Sequence, residues 1–88
     1  NVRTPCPEYV PDLVVEVLSK GNRKRELERK RQDFFAHGTR LFWIVDPRKQ
    51  TVTVYHEVER GVTLGLDEEL SGENVLPGFK LSIREWFQ

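Results

Sequence analysis

The sequence predicts an α/β domain built on a mixed β-sheet with one main helix packed on a face. Three observations favour this class. Residues 11–19 are a run of Val and Leu broken by two acids, which is typical of a buried strand. Residues 23–37 have a helical pattern that ends at Gly38, a favourable residue for closing a helix. Residues 41–45 form a second apolar run and predict another buried strand.

The order of these segments predicts a strand-helix-strand-strand core followed by a short C-terminal helix. Strand, helix and strand in succession indicate a parallel crossover, since parallel strands need a long connection. Residues 51–58 alternate apolar and polar side chains and predict a third strand, paired with the second in an antiparallel hairpin. Residues 62–66 predict a short further strand, and residues 67–74 an acidic loop. Ser82 with Glu85 predicts a capping box for a last helical turn.

The length of 88 residues allows one small domain with a modest core. The proline-rich residues 1–10 are expected to form an extended lead-in, and residues 11–88 a single domain. No apolar run approaches the roughly 20 residues of a membrane helix, so no membrane partner is expected. The single cysteine, Cys6, fits a reducing compartment and predicts a cytoplasmic protein. The chain has no methionine and begins with Asn1, which predicts a fragment or a processed piece, so that part of an active site is expected upstream.

The formal net charge is zero, but the charges are unevenly distributed. Seven basic residues stand against two acidic ones between positions 20 and 31. Such a block is a candidate surface for an anionic partner, and its spread around the helix suits a phosphate backbone. The alternative is a helix face that is merely solvated. The candidate nucleic-acid-binding residues are Lys20, Arg23, Lys24, Arg25 and Arg29.

Two residues are candidates for catalysis. Glu16 lies in the middle of the first predicted strand, where a carboxylate needs a charged partner or a metal ion, or stays protonated. Lys30 shares a helical stripe with Leu27 and Phe34, the large apolar residues that must face the sheet. A metal-dependent phosphodiesterase uses such a pair. The carboxylate holds a divalent ion, while the lysine orients water and stabilises the charge of the phosphorane.

The alternative for both residues is structural. Lys30 could pair with Glu26 along its own helix and extend its amine past the edge of the core. Glu16 could be a protonated or ion-paired structural residue. Either residue taken alone favours the structural interpretation, whereas the two together make the interpretations about equal.

Asp12 is a second candidate metal residue, but distance separates it from Glu16. Four residues along a strand span about 13 Å. The ligands of one ion lie roughly 4 Å apart, so the two carboxylates are not expected to share an ion. We predict that Asp12 caps the start of the strand or binds a second ligand. A second carboxylate for the ion at Glu16 must then come from another strand, or from sequence outside this chain.

Four segments together resemble the Uma-two family of restriction endonucleases, within the PD-(D/E)xK nuclease superfamily. The segments are 11–19, 26–30 with Phe34, Phe35 and Gly38, then 42–47 and 76–79. The resemblance implies a restriction-endonuclease-like fold and Mg²⁺-dependent cleavage of DNA. It makes Glu16 the acidic residue of the (D/E)xK half-motif. Leu18 stands where that motif has its lysine, and the resemblance places the relocated lysine at Lys30.

Members of the family are longer, with a preceding helix and strand. The resemblance therefore implies that residues 11–88 lack the N-terminal half of the family fold, which would carry the second metal ligand. Two other functions stay open. One is a catalytically inactive module that binds nucleic acid. The other is an oligomerisation module, in which an exposed strand edge would favour a homodimer.

Overall fold

The computed structural model describes residues 10–21 and 23–88. Its elements are β1 (Leu13–Val17), α1 (Lys24–Ala36), β2 (Leu41–Asp46), β3 (Thr51–Glu57), β4 (Arg60–Leu64), β5 (Glu69–Ser71), β6 (Lys80–Ser82) and α2 (Ile83–Trp86). Within these residues β1 to β4 form one sheet in sequence order, and β5 and β6 form a separate antiparallel pair. The predicted lead-in lies outside the described residues except for Val10. No helix in the described part of the chain is long and apolar enough to cross a membrane.

The four-stranded sheet is mixed, as predicted. β1 and β2 run parallel on either side of the α1 connection, while β2, β3 and β4 run antiparallel. In the parallel pair Glu16 lies opposite Ile44, and Val14 lies opposite Phe42. Because side chains alternate along strands, these four residues share one face of the sheet.

Helix α1 packs on that face through aromatic side chains. The rings of Phe34 and Phe35 lie 6.2 and 6.3 Å from the ring of Phe42. Phe42 is fully buried, whereas no residue of α1 reaches full burial. The helix ends as the sequence predicts, with Gly38 at φ 112°, a conformation that glycine adopts without strain.

The opposite face of the sheet carries the larger part of the core. The buried side chains there are Leu41, Trp43, Val45, Val52, Val54, Leu70 and Ile83. Leu70 comes from β5, so the prediction of an acidic loop over residues 67–74 was wrong. A single apolar residue explains the difference, because Leu70 is fully buried while Glu69 beside it is exposed.

Strand β1 is not buried on both faces, contrary to the prediction from its apolar sequence. Val15 and Val17 are 42% and 56% exposed. Both share a face with Leu41, Trp43 and Val45 of the adjacent strand β2, through their places in the register. The β5–β6 pair and α2 pack on the middle of this face and leave the β1 side open. The described residues also place β1 at an edge of the sheet.

The last helix begins where the sequence predicts but is stabilised differently. Ser82 occupies the N-cap position of α2, yet its side chain makes no capping hydrogen bond. The capping box with Glu85 is therefore not formed. Ile83, the first residue of α2, is fully buried, so apolar packing fixes this helix against the sheet.

Gly72 lies in the segment that connects β5 with β6, where the chain is closely packed. A Cβ atom at this position would lie 2.5 Å from the backbone oxygen of Leu76 and 3.0 Å from the Cβ of Phe79. Gly72→Ala should therefore destabilise the protein by roughly 1–3 kcal/mol, the usual cost of overpacking. Gly65→Ala is the matched control, since its nearest neighbour would be 3.9 Å away. Equal unfolding midpoints for the two variants in urea would contradict this packing.

Candidate active site

Glu16 and Lys30 meet in the structure. The Nζ atom of Lys30 donates to both carboxylate oxygens of Glu16, each at 3.3 Å. Strand β1 directs Glu16 toward α1, and α1 directs Lys30 toward the sheet, as the alternation and the helical stripe predict. Glu26, the alternative partner on the same helix, is exposed, and the ion pair of Lys30 is with Glu16.

The exposure of the pair limits what it contributes to stability. The side chains of Lys30 and Glu16 are 37% and 24% exposed. Partly exposed ion pairs are worth about 0–1 kcal/mol. Both contacts are also longer than the 2.7–2.9 Å typical of charge-assisted hydrogen bonds. The pair is thus accessible from solvent, and both side chains can exchange this contact for a ligand at little cost to the fold.

Neighbouring residues of α1 hold Lys30 in place. The guanidinium of Arg31 lies 4.2 Å from the ring centre of Tyr55, and its Nε donates to the carbonyl oxygen of Val58 at 2.6 Å. Phe34 packs on Phe42 one turn later. These contacts fasten the helix to the sheet on the C-terminal side of Lys30.

The described residues offer one carboxylate for a metal ion at this pair. No group of three or more His, Cys, Asp or Glu side chains among them is arranged to hold an ion. Mg²⁺ is usually bound through one or two carboxylates, with water and substrate phosphates completing its octahedron. Glu16 fits this mode of binding as a single protein ligand, and a site made of protein ligands alone is not formed by residues 10–21 and 23–88.

Asp12 lies at the start of β1, away from the pair. Its carboxylate accepts a hydrogen bond from Nε of Arg40 at 3.2 Å, and its side chain is 63% exposed. Its carbonyl oxygen accepts the backbone N–H groups of Arg40 and Leu41, each at 3.0 Å. Asp12 therefore ties the start of β1 to the start of β2, as the strand-capping interpretation predicts. Its role as a metal ligand stays a prediction.

The basic residues separate into two groups on the surface. Lys20 and Lys24 line a pocket at the C-terminal end of β1. Arg25 and Arg29 are exposed and lie two positions on either side of Leu27. They are therefore directed about 160–200° away from the face that packs on the sheet. The fifth residue of the predicted set, Arg23, is the N-cap of α1 and is exposed.

Arg48 belongs to the same pocket and was missed from the sequence, where only the block from 20 to 31 was considered. The available signal was the parallel pairing of β1 with β2, because parallel strands end at the same edge of a sheet. Residues after β2 therefore lie beside those after β1. Asp46 forms the turn there, as its Oδ1 accepts the N–H groups of Arg48 and Lys49 at 3.0 and 3.1 Å.

The mixed sheet, with a strand carboxylate facing a lysine of the next helix, defines a domain of the restriction-endonuclease-like class. The chain belongs to the Uma2 family, described as "putative restriction endonuclease", whose model matches residues 3–84. The family membership expected from the sequence is thereby confirmed.

A solved structure, described as a putative nuclease belonging to DUF820 from Anabaena variabilis ATCC 29413, has a similar fold. The TM-score is 0.79 at 26% sequence identity, over 89% of this chain and 44% of that one. The chain thus spans less than half of that structure. No curated protein matches this chain.

Proposed function

We propose that the full-length gene product is a Mg²⁺-dependent endonuclease that hydrolyses phosphodiester bonds of DNA. The observation that carries this proposal is the contact between Lys30 Nζ and both oxygens of Glu16 at an accessible place. An ion pair of this exposure adds little stability, so stability alone does not account for it. Membership of a family described as restriction endonucleases supports phosphodiester cleavage as its use.

Each residue of the pair has a distinct role in this proposal. Glu16 would hold Mg²⁺ through its carboxylate, with substrate phosphate and water completing the coordination. The ion, when bound, polarises the phosphoryl oxygen and lowers the pKa of a water molecule. The Nζ atom of Lys30 lies 3.3 Å from that carboxylate, where it stabilises the charge that develops on the phosphorane and orients the attacking water.

The exposed basic residues at the N-terminal end of α1 serve as contacts to the DNA backbone in this proposal. Lys20 and Lys24 line the pocket where β1 ends, and Arg23 is the N-cap of α1. Phosphate contacts from Lys and Arg give affinity and orientation without sequence information.

We retain the homodimer as a prediction, to be checked by light scattering, because Val15 and Val17 are exposed on an edge strand. The cytoplasmic location also stays a prediction.

A plasmid-nicking assay tests the proposed activity. The full-length protein should convert supercoiled DNA to the nicked form in Mg²⁺, and EDTA in excess of Mg²⁺ should abolish the reaction. The control is the protein restored with Mg²⁺ after EDTA treatment, which should regain activity. Salt-sensitive binding of DNA with no nicking under any of these conditions would contradict the proposal. It would favour instead the catalytically inactive binding module.

A further inference from the structure

A pocket of about 520 Å³ lies at the edge where the parallel strands β1 and β2 end. One part of its wall is apolar and is formed by Leu18, Leu27 and Pro47. Its size is within the range of pockets that bind small organic ligands. An apolar wall alone would suit many ligands, so the charges of the pocket decide among them.

Three cationic side chains line the same pocket, namely Lys20, Lys24 and Arg48. All three are exposed, and none of them forms a salt bridge with another described residue. Asp46, the one acidic side chain among the described residues of the lining, has its Oδ1 occupied by two backbone N–H groups. A pocket with an apolar wall and an excess of positive charge matches a ligand with an apolar ring and a phosphate.

The position of the pocket relates it to the catalytic pair. Leu18 follows Glu16 by two residues on the same face of the β1 segment, a distance of about 7 Å along the chain. Leu27 precedes Lys30 by three residues on α1, a rise of about 5 Å. A DNA strand advances about 3.4 Å per base along the helix axis. The pocket therefore lies within about two nucleotide steps of the pair.

We propose that this pocket binds one nucleotide unit of the DNA strand, within two steps of the phosphate that is cleaved. The phosphate of this unit contacts Lys20, Lys24 and Arg48, and its base packs against the apolar wall of Leu18 and Leu27. This assignment rests on the proposed function, because it identifies the strand as the one on which the catalytic pair acts. A free mononucleotide has the same chemistry, and the test separates the two sources.

The first experiment measures binding of a fluorescently labelled oligonucleotide by anisotropy, in EDTA, to the folded full-length protein. The pocket variant K24Q/R48Q should bind at least about 10-fold more weakly. Its salt slope should fall by about 0.9 for each phosphate that the variant no longer neutralises. The variant R60Q/K80Q removes the same charge from exposed strand positions outside the pocket and should keep wild-type affinity. If both variants bind as wild type does, or are weakened equally, the pocket assignment is overturned.

A comparison with the outer face of α1 makes this test sharper. R25Q/R29Q removes two positive charges that are directed away from the pocket. It should weaken binding less than K24Q/R48Q does, because its side chains lie on the far side of the helix. An equal reduction would indicate a helix surface that attracts DNA without a nucleotide pocket, and would overturn the proposal.

The second experiment identifies the ligand by NMR, with labelled leucine methyl groups and three probes. Deoxyadenosine 5′-phosphate should shift the methyl signals of Leu18 and Leu27, deoxyribose 5-phosphate should shift them less, and inorganic phosphate should leave them in place. Equal shifts with all three probes would reduce the pocket to an anion site and contradict the packing of a base. The wild type could instead bind the mononucleotide tightly while K24Q/R48Q keeps the wild-type affinity for the oligonucleotide. That result would assign the pocket to free nucleotides and overturn the proposal that it binds a unit of the DNA strand.

The two proposals can fail separately. A wild-type protein that shows pocket-dependent binding but never nicks plasmid would leave the pocket in place and refute the nuclease activity. If the wild type nicks plasmid and the K24Q/R48Q variant binds DNA as tightly as the wild type does, the pocket assignment is refuted and the nuclease activity stands.

Discussion

Glu16→Gln should lower the rate of DNA cleavage by at least about 100-fold, comparable to the loss of a group that stabilises developing charge. The amide keeps the shape of the side chain but removes the negative charge that binds the metal ion. The melting temperature should change little, because the ion pair with Lys30 is partly exposed and worth at most about 1 kcal/mol. Single-turnover nicking rates and thermal unfolding of the same preparation measure the two effects.

Glu69→Gln is the matched control for this variant. Glu69 is an exposed carboxylate of β5, so the same change of charge there should leave the nicking rate unaltered. Cleavage by Glu16→Gln at the wild-type rate would refute the role of Glu16. A large fall in melting temperature with unchanged activity would support the alternative that Glu16 is a structural residue.

Phe42→Ala should have the largest effect on stability among the substitutions considered. Phe42 is fully buried between the sheet and α1, where it contacts Phe34 and Phe35. Removing a buried Phe side chain typically costs about 3–5 kcal/mol. A chain of this length is stable by only about 4–13 kcal/mol in total. The substitution should therefore lower the melting temperature by more than about 12 °C, as measured by circular dichroism.

Two further variants show whether burial causes this loss. Phe42→Leu leaves a smaller cavity and should lose less than half as much stability. Val15→Ala removes an apolar side chain that is 42% exposed and should cost less than about 1 kcal/mol. A Phe42→Ala protein as stable as Val15→Ala would show that α1 does not pack on this face as described.

Local patterns were sufficient to predict the main elements and to direct Glu16 and Lys30 toward each other, while a pairing of Lys30 with Glu26 stayed open. Alternation along a strand and the 100° step of a helix each fix the direction of a side chain before any tertiary contact is known. The parallel crossover then brings the two faces together. For this reason the two residues could be expected to face each other, even though they are 14 positions apart in the sequence.

Features that depend on what covers a surface could not be predicted in this way. The apolar sequence of β1 indicated burial on both faces, yet Val15 and Val17 are exposed because the β5–β6 pair covers other strands. Strand β5 lies in an acidic stretch of sequence, in which Leu70 is the buried apolar residue that indicates a strand. The contribution of Arg48 to the pocket arises from two strand ends meeting at one edge, which no single segment of sequence reveals.

The most direct test of the catalytic pair is a double-mutant cycle on single-turnover nicking rates in Mg²⁺. It compares the wild type with Glu16→Gln, Lys30→Met and the double variant. If the two residues act at one site, each single variant should be slower by about 100-fold or more, and the double variant should be hardly slower than either one. Strictly multiplicative reductions would show that the residues act independently, and wild-type rates in all three variants would contradict the assignment of the active site.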